Sequence, residues 1–341
     1  MNSLNAMNRR NFMTAATAAA AWMTQTGRAK AAPGELSGRA PVARDSVAED
    51  AAAGLRYATG RRFLDTPFGR IAYIDRGIGR PTLFLHGFPL NSFQWRGVIE
   101  RLAGARRCLA PDLMGLGYTE VADGQSVTPA AQAGMIATFL DRLSVDKVDL
   151  VANDSGGAVA QLFLVAHPER VRTLLLTNCD VETDSPPAAV IPVIESARSG
   201  VFPDLYLEPW LRHKDVARSA NGLGGLCYSR PECLSDTALE HYLLPLVANA
   251  DRRALVNRYA LGLTPNPLQG ISSQLRKCAV PTRIVWGMSD SIFSAKSPDY
   301  LASILPRVTG VRRIREAKLF FPEEYPEVIA EEAQQLIASA V

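Results

Sequence analysis

Residues 148–158 read Val-Asp-Leu-Val-Ala-Asn-Asp-Ser-Gly-Gly-Ala, and one side chain among them is placed to do chemistry. An apolar, β-branched run (Val148, Leu150, Val151) stops at Asn153-Asp154, small residues follow at once, and 158–166 reads as a helix. A strand entering a helix with almost no loop forces the turn residue into a tight backbone, so the residues two before and two after it must be small. Ala152 and Gly156 meet that condition around Asp154. A carboxylate held this way stands above the strand end, and the N–H of the next residue, Ser155, points at the reacting centre. Shifting the frame by one makes Ser155 the nucleophile with Gly157 two later, but Asn153 then falls where a small residue is wanted. A buried strand and glycine-rich helix start without chemistry is the bland alternative, and it loses ground because other pieces fall at matching places.

Those pieces are set by the surrounding elements. Residues 62–65 and 70–74 form a strand, turn, strand unit, and 81–85 is a third strand ending in His86-Gly87-Phe88-Pro89. A helix over 92–103 leads to a fourth strand at 107–110, and 128–143 is a long helix with Thr128 as N-cap and proline in its first turn. The strand before Asp154 is the fifth and 171–177 the sixth. Strands separated by helices at this spacing predict an α/β chain with a doubly wound, mostly parallel sheet of eight strands. The alternation then stops. Residues 184–268, bounded by Asp184-Ser185-Pro186-Pro187 and Thr264-Pro265-Asn266-Pro267, are mainly helical in pattern and read as a cap inserted after strand six. Strand seven (281–286) runs into Gly287-Met288-Ser289-Asp290, strand eight is 311–314, and 322–340 is a closing helix. The core is thus 59–183 with 269–341.

From about residue 61 onward the chain resembles the α/β-hydrolase fold family, in its epoxide hydrolase and haloalkane dehalogenase branch. Four stretches carry the resemblance: His86-Gly87-Phe88-Pro89, the aspartate elbow at Asp154, Trp286-Gly287-x-x-Asp290, and Phe320-Phe321-Pro322-Glu323-Glu324-Tyr325-Pro326. It implies that Asp154 attacks an alkyl carbon to form an ester, that the N–H groups of Phe88 and Ser155 hold the oxyanion, and that Asp290 is the acid that orients a histidine. It implies an enzyme acting on a small, largely apolar molecule without a cofactor. Trp95, Tyr228, Tyr242 and His241 are the candidate substrate contacts, since the branch's epoxide hydrolases protonate the epoxide oxygen with two cap tyrosines, for which Tyr206, Tyr228, Tyr242 and Tyr259 are available.

The chain departs from the pattern in two places. The histidine that precedes Phe-x-x-Glu-Glu-x-Pro in the family is Leu319 here, and a leucine cannot activate water for ester hydrolysis. Of the four histidines, His86 belongs to the oxyanion loop, His167 closes the elbow helix, and His213 and His241 lie in the cap. The base then comes from His213, from His241 or from Asp290 through a water. Failing these, Asp154 and Asp290 form a carboxylate pair in a non-hydrolytic or purely ligand-binding member, one of them with a raised pKa. Neighbours on an extended segment face opposite ways, so Lys318 cannot share the position of Leu319. The second departure is Ser155 where the dehalogenases hold halide with a tryptophan, which points away from haloalkanes.

The remaining chain sets the context. With 341 residues, 47% of them hydrophobic and 21% charged, it is ordinary globular material without a run of 18 apolar residues. Arg9-Arg10, an Ala-rich apolar stretch to Met23 and Ala29-Lys30-Ala31 read as a twin-arginine signal over 1–31, with 32–58 as a linker or leader. That implies dealings with the twin-arginine export machinery and a periplasmic mature form outside the membrane. Residues 1–31 hold four bases and no acid, so the 37 Lys and Arg fall to 33 against 34 Asp and Glu, and no nucleic-acid footprint remains. Five cysteines are present: Cys108 and Cys179 sit in strand-like runs, and an oxidising compartment permits a bridge between Cys227 and Cys233. No Cys/His spacing suits a metal.

Overall fold

The strand before the elbow, β6 (Val148–Asp154), is buried along its whole length, with β3 (Pro81–Leu85) and β7 (Val171–Cys179) as parallel neighbours on either side. A strand covered on both faces needs near-continuous apolar character, and Val148, Leu150, Val151 and Ala152 supply it. In the computed structural model, which describes residues 47–340, the sheet order is β1-β2-β4-β3-β6-β7-β8-β9. The remaining members are β1 (Arg62–Thr66), β2 (Gly69–Arg76), β4 (Arg107–Pro111), β8 (Thr282–Gly287) and β9 (Val308–Ile314). The β3–β4 pair and every pair from β3 to β9 are parallel, while β1–β2 and β2–β4 are antiparallel.

Among the described residues the sheet has nine strands rather than eight. The extra one, β5 (Glu120–Val121), pairs with the start of β2, and two residues are too few to show an alternation. β9 begins three residues before the expected 311, because it is a half-exposed edge strand interrupted by Gly310 and carries no clear periodicity. The closing helix is two helices, α13 (Phe321–Glu324) and α14 (Pro326–Ala338). They are broken at Tyr325 because the residue before a proline is pushed out of the helical region.

α1 (Val47–Gly60) corrects part of the expected leader over 32–58. Alanines favour the helix, and its one large buried side chain, Tyr57, packs edge-on against Phe93. The twin-arginine stretch and the leader before residue 47 lie outside the described residues. α2 (Arg96–Leu102) follows a 3₁₀ turn at Ser92–Trp95, and α3 (Pro129–Arg142) is capped by the Thr128 hydroxyl as expected. α4 (Ser155–Ala166) starts three residues before the expected 158, with Asp154 itself as N-cap.

Between β7 and β8 the chain makes only helices, turns and one isolated bridge, Val181 with Asp184. These helices are α5 (Ile191–Arg198), α6 (Glu208–Arg212), α7 (Lys214–Arg218), α8 (Leu223–Cys227), α9 (Asp236–Val247), α10 (Ala250–Leu261) and α11 (Ser272–Leu275), with a π-helical turn at Pro203–Leu207 before α6. After β8 comes α12 (Ser297–Ile304). No described helix is long and apolar enough to cross a membrane.

Candidate active site

Asp154 has φ 55° and ψ −134°, a left-handed backbone that a non-glycine residue adopts only when its surroundings impose it. The imposition is visible at Gly156, where a Cβ would stand 2.5 Å from the His86 carbonyl oxygen, so only glycine lets the first turn of α4 reach β3. Asp154 therefore projects from the C-terminal end of β6, where open parallel sheets bind ligands. Its Oδ2 accepts the Phe88 N–H at 2.7 Å, and the Ser155 N–H also bonds the carboxylate. Gly87 makes the approach possible, since a Cβ there would lie 2.6 Å from Oδ2.

Asp154 opens into a cavity beneath the β7–β8 helices. Phe88, Ser155 and Leu319 line it, as do Phe202, Trp210 and Leu223 from the helical segment. Its wall is overwhelmingly hydrocarbon. Its polar groups are the side chains of Asp154, Ser155 and Cys227, the Trp210 indole, and a carboxylate that the sequence reading missed, Asp180. Asp180 follows directly on β7, whose Cys179 pairs with Asp154, and the one available signal was its place at the C-terminal end of the strand next to the elbow.

These carboxylates are buried without a cation. Among the described residues no ion pair involves Asp154, Asp180 or Asp290. Burial, then the neighbouring Asp180, hold Asp154 well above the usual carboxylate range, and Asp290 adds a smaller push. Burial raises Asp180 to about 7 against the opposing hydrogen bond from Ser185 Oγ (2.7 Å), and it raises Asp290 to about 6. Asp290 stands behind the cavity wall, with Oδ1 accepting the Ile292 N–H and Oδ2 the Asn178 side-chain amide at 2.7 Å. The expected pair of Asp154 with Asp290 is thus a weaker coupling than that of Asp154 with Asp180.

A chain of buried amides fixes the loops around the site. Gln94 Oε1 accepts the Gly87 N–H and Gln94 Nε2 donates to Asn153 Oδ1. Asn153 Nδ2 donates to the carbonyls of Asn178 and Leu319, while Asn178 bonds both polar backbone groups of Gly287 as well as Asp290. Asn153 therefore ties together three segments, at Gln94, Asn178 and Leu319, which explains an amide beside Asp154. Leu319 turns its side chain into the cavity, and its neighbour Lys318 turns away to the Gly225 carbonyl, as alternation requires.

None of the four histidines is hydrogen-bonded to these carboxylates. His86 bonds the Gly87 carbonyl and the Leu113 N–H, and burial lowers its pKa. His167 is near Glu169, His213 is exposed between α6 and α7, and His241 stacks on Phe93 at 4.3 Å with its pKa lowered by burial and by Arg61. His241 is accordingly not among the residues that line the cavity, against the expectation that it contacts substrate.

The other expected substrate contacts are corrected too. Trp95 is fully buried against Phe84, because the turn at Ser92–Trp95 points it into the core. Tyr228 and Tyr242 do not line the cavity, since both hydroxyls donate to Glu323 Oε2 at 2.8 Å. A different tyrosine reaches the site: Tyr259 stacks on Phe88 and its hydroxyl is 2.9 Å from Ser155 Oγ. All five cysteines are free, so Cys227 and Cys233 are not bridged. The described residues contain no His, Cys, Asp and Glu group able to hold a metal.

A family model described as alpha/beta hydrolase fold matches residues 81–207. Haloalkane dehalogenase 2 of Mycobacterium tuberculosis is 29% identical over 283 residues, 80% of this chain and 93% of the relative. A cis-3-alkyl-4-alkyloxetan-2-one decarboxylase of Shewanella oneidensis is 26% identical over 68% of this chain and 74% of its own length. Among solved structures, the epoxide hydrolase CorEH superposes with a TM-score of 0.69 at 21% identity, over 82% of this chain and 99% of that one. The chain has the α/β-hydrolase fold, with haloalkane dehalogenases and an epoxide hydrolase among its neighbours.

Proposed function

We propose that the protein is a hydrolase in which Asp154 attacks an electrophilic carbon of a small, largely apolar substrate and is then released from the ester by water. The observation that carries this reading is the 2.7 Å bond from the Phe88 N–H to Asp154 Oδ2. When water attacks an alkyl-aspartyl ester, the oxyanion forms on the aspartate's own oxygen, so donors for it must already sit on the nucleophile's carboxylate. The donors of a hydrolase that uses Ser155 would instead stand clear of Asp154. The hydrocarbon wall sets the substrate's character. The leaving atom reads as oxygen, because a departing oxygen needs a proton, which the buried carboxyls with raised pKa can give. An epoxide or strained cyclic ester satisfies both conditions.

Leu319 in the cavity favours a second reading, a non-hydrolytic member in which protonated carboxyls act without a histidine. The Shewanella relative, named as a decarboxylase of a four-membered lactone, supports it. Exposure to small epoxides and β-lactones in H₂¹⁸O, followed by intact-mass and peptide-mass measurement, separates the two. Incorporation of ¹⁸O into Asp154 with product release is expected of the hydrolase. Reaction without label in Asp154 defeats the ester route, and Asp154→Asn removes activity under either reading.

The helices of 184–268 serve in this proposal as the cap that closes the site. Export through the twin-arginine route to the periplasm remains part of it, on the strength of Arg9-Arg10 and the apolar stretch behind them.

A further inference from the structure

We propose that Asp180 is the acid and the base of the reaction at Asp154, taking over from its own strand end the proton transfers for which Leu319 provides no group. The inference rests on Asp154 being the nucleophile, and it adds a residue that neither the motif nor the resemblance pointed to. Three geometric facts support it. β6 and β7 are parallel neighbours in which Asp154 pairs with Cys179, so Asp180 is the first residue beyond that pair on the adjacent strand. Both side chains line the same cavity, and both residues are more than nine-tenths buried. The Ser185 hydroxyl fixes Asp180 Oδ1, and no Lys, Arg or His is paired with the carboxylate among the described residues.

Of two buried carboxylates that line one cavity and repel each other's charge, one stays protonated over a wide pH range. Asp154 holds the shared proton more tightly in the free site, so the reactive form is the tautomer in which that proton has passed to Asp180. From it Asp154 attacks a ring carbon of an epoxide, the C–O bond breaks, and Asp180 gives its proton to the leaving oxygen. The result is a hydroxyalkyl ester on Asp154 and an ionised Asp180. Water then adds to the ester carbonyl while Asp180 takes one of its protons, and the Phe88 and Ser155 N–H groups hold the oxyanion. Collapse expels the diol oxygen, which receives that proton back from Asp180. Asp154 is left protonated and returns a proton to Asp180, so the net change is epoxide plus water to diol.

The groups coupled electrostatically to this pair are Asp290 and Asp184, the thiols of Cys179 and Cys227, and the Tyr259 phenol. The single base near them, Lys318, faces Cys227 and bonds the Gly225 carbonyl. The position of Asp180 near 7 suits a group that must both give and take a proton at neutral pH.

The test follows a single turnover of styrene oxide in H₂¹⁸O, by peptide mass for the Asp154 ester and by chromatography for the diol. Asp180→Asn keeps the shape and the Ser185 contact. It should let the ester accumulate and slow its hydrolysis by about 100-fold or more, and Asp180→Glu should restore part of the rate. In the unaltered protein ester hydrolysis should rise with pH around a midpoint near 7, absent in Asp180→Asn and moved upward in Ser185→Ala, which removes a donor to the carboxylate. Label in Asp154 together with undiminished release in folded Asp180→Asn overturns this assignment and leaves the nucleophile standing. If that variant does not fold, an unmoved midpoint in Ser185→Ala overturns it instead. Turnover without label in Asp154 overturns both.

Discussion

Replacing Glu323 by alanine should release the helices between β7 and β8 from the sheet domain, and the size of the effect follows from the contacts. The Glu323 side chain is 2% exposed and accepts three hydrogen bonds: from Arg96 Nη1 at 2.7 Å, Tyr228 OH at 2.8 Å and Tyr242 OH at 2.8 Å. Arg96 belongs to the core helix α2, while the tyrosines come from the helical segment, so one carboxylate joins the two. Removing one partner of a buried ion pair costs roughly 3–5 kcal/mol, because the other charge stays buried. Two phenols left without an acceptor add roughly 1 kcal/mol each where they cannot turn to water. The total is about 5–7 kcal/mol, and at roughly 2 °C per kcal/mol for a chain of this size Tm should fall by about 10–14 °C. Urea unfolding followed by intrinsic fluorescence measures it. Tyr228→Phe and Tyr242→Phe, which spare the ion pair, should each cost about 1 kcal/mol. A loss below about 1 kcal/mol in Glu323→Ala, or phenylalanine variants as damaging as the alanine one, would refute the reasoning that a buried charge carries the junction.

Other consequences are equally accessible. Leu319→His places an imidazole in the cavity beside Asp154 and should speed hydrolysis of the ester by about tenfold or more; no gain would show a pocket rebuilt around another chemistry. Gly87→Ala puts a methyl 2.6 Å from Asp154 Oδ2 and should abolish adduct formation, so retained labelling would mean that the two loops separate. Asp180 has a folded pKa raised to about 7, so its carboxyl binds its proton more tightly folded than unfolded. Its contribution is fully present below the unfolded value near 4 and is lost as pH rises through about 7. Asp180→Asn should then gain stability relative to the parent between pH 5 and pH 8, by up to a few kcal/mol at roughly 1.4 kcal/mol per pKa unit, and a difference independent of pH would count against it. Changing Arg9 and Arg10 to lysine should keep the protein in the cytoplasm, and undisturbed periplasmic delivery would sink the export proposal.

The sequence by itself determined the mostly parallel sheet and the tight strand-to-helix turn at Asp154. Each is a local matter: β-branched runs between helices, and small residues two before and two after Asp154. Short or irregular pieces escaped it. The two-residue β5 has no period, and α1 shows its purpose only through Tyr57 on Phe93. What tertiary structure alone decided is which side chains share the cavity. Tyr228 and Tyr242 are ordinary cap tyrosines on paper, and only the fold brings Glu323 from 81 residues further along the chain to occupy the Tyr242 hydroxyl. Asp180 looks like any acid after a strand until β7 is laid beside β6. Asn153 looks like an awkward neighbour of Asp154 until Gln94, Asn178 and Leu319 converge on it. Spacing along a chain fixes backbone shape within one element, whereas burial, proton affinity and partnership depend on strands and loops that meet only when the sheet is assembled.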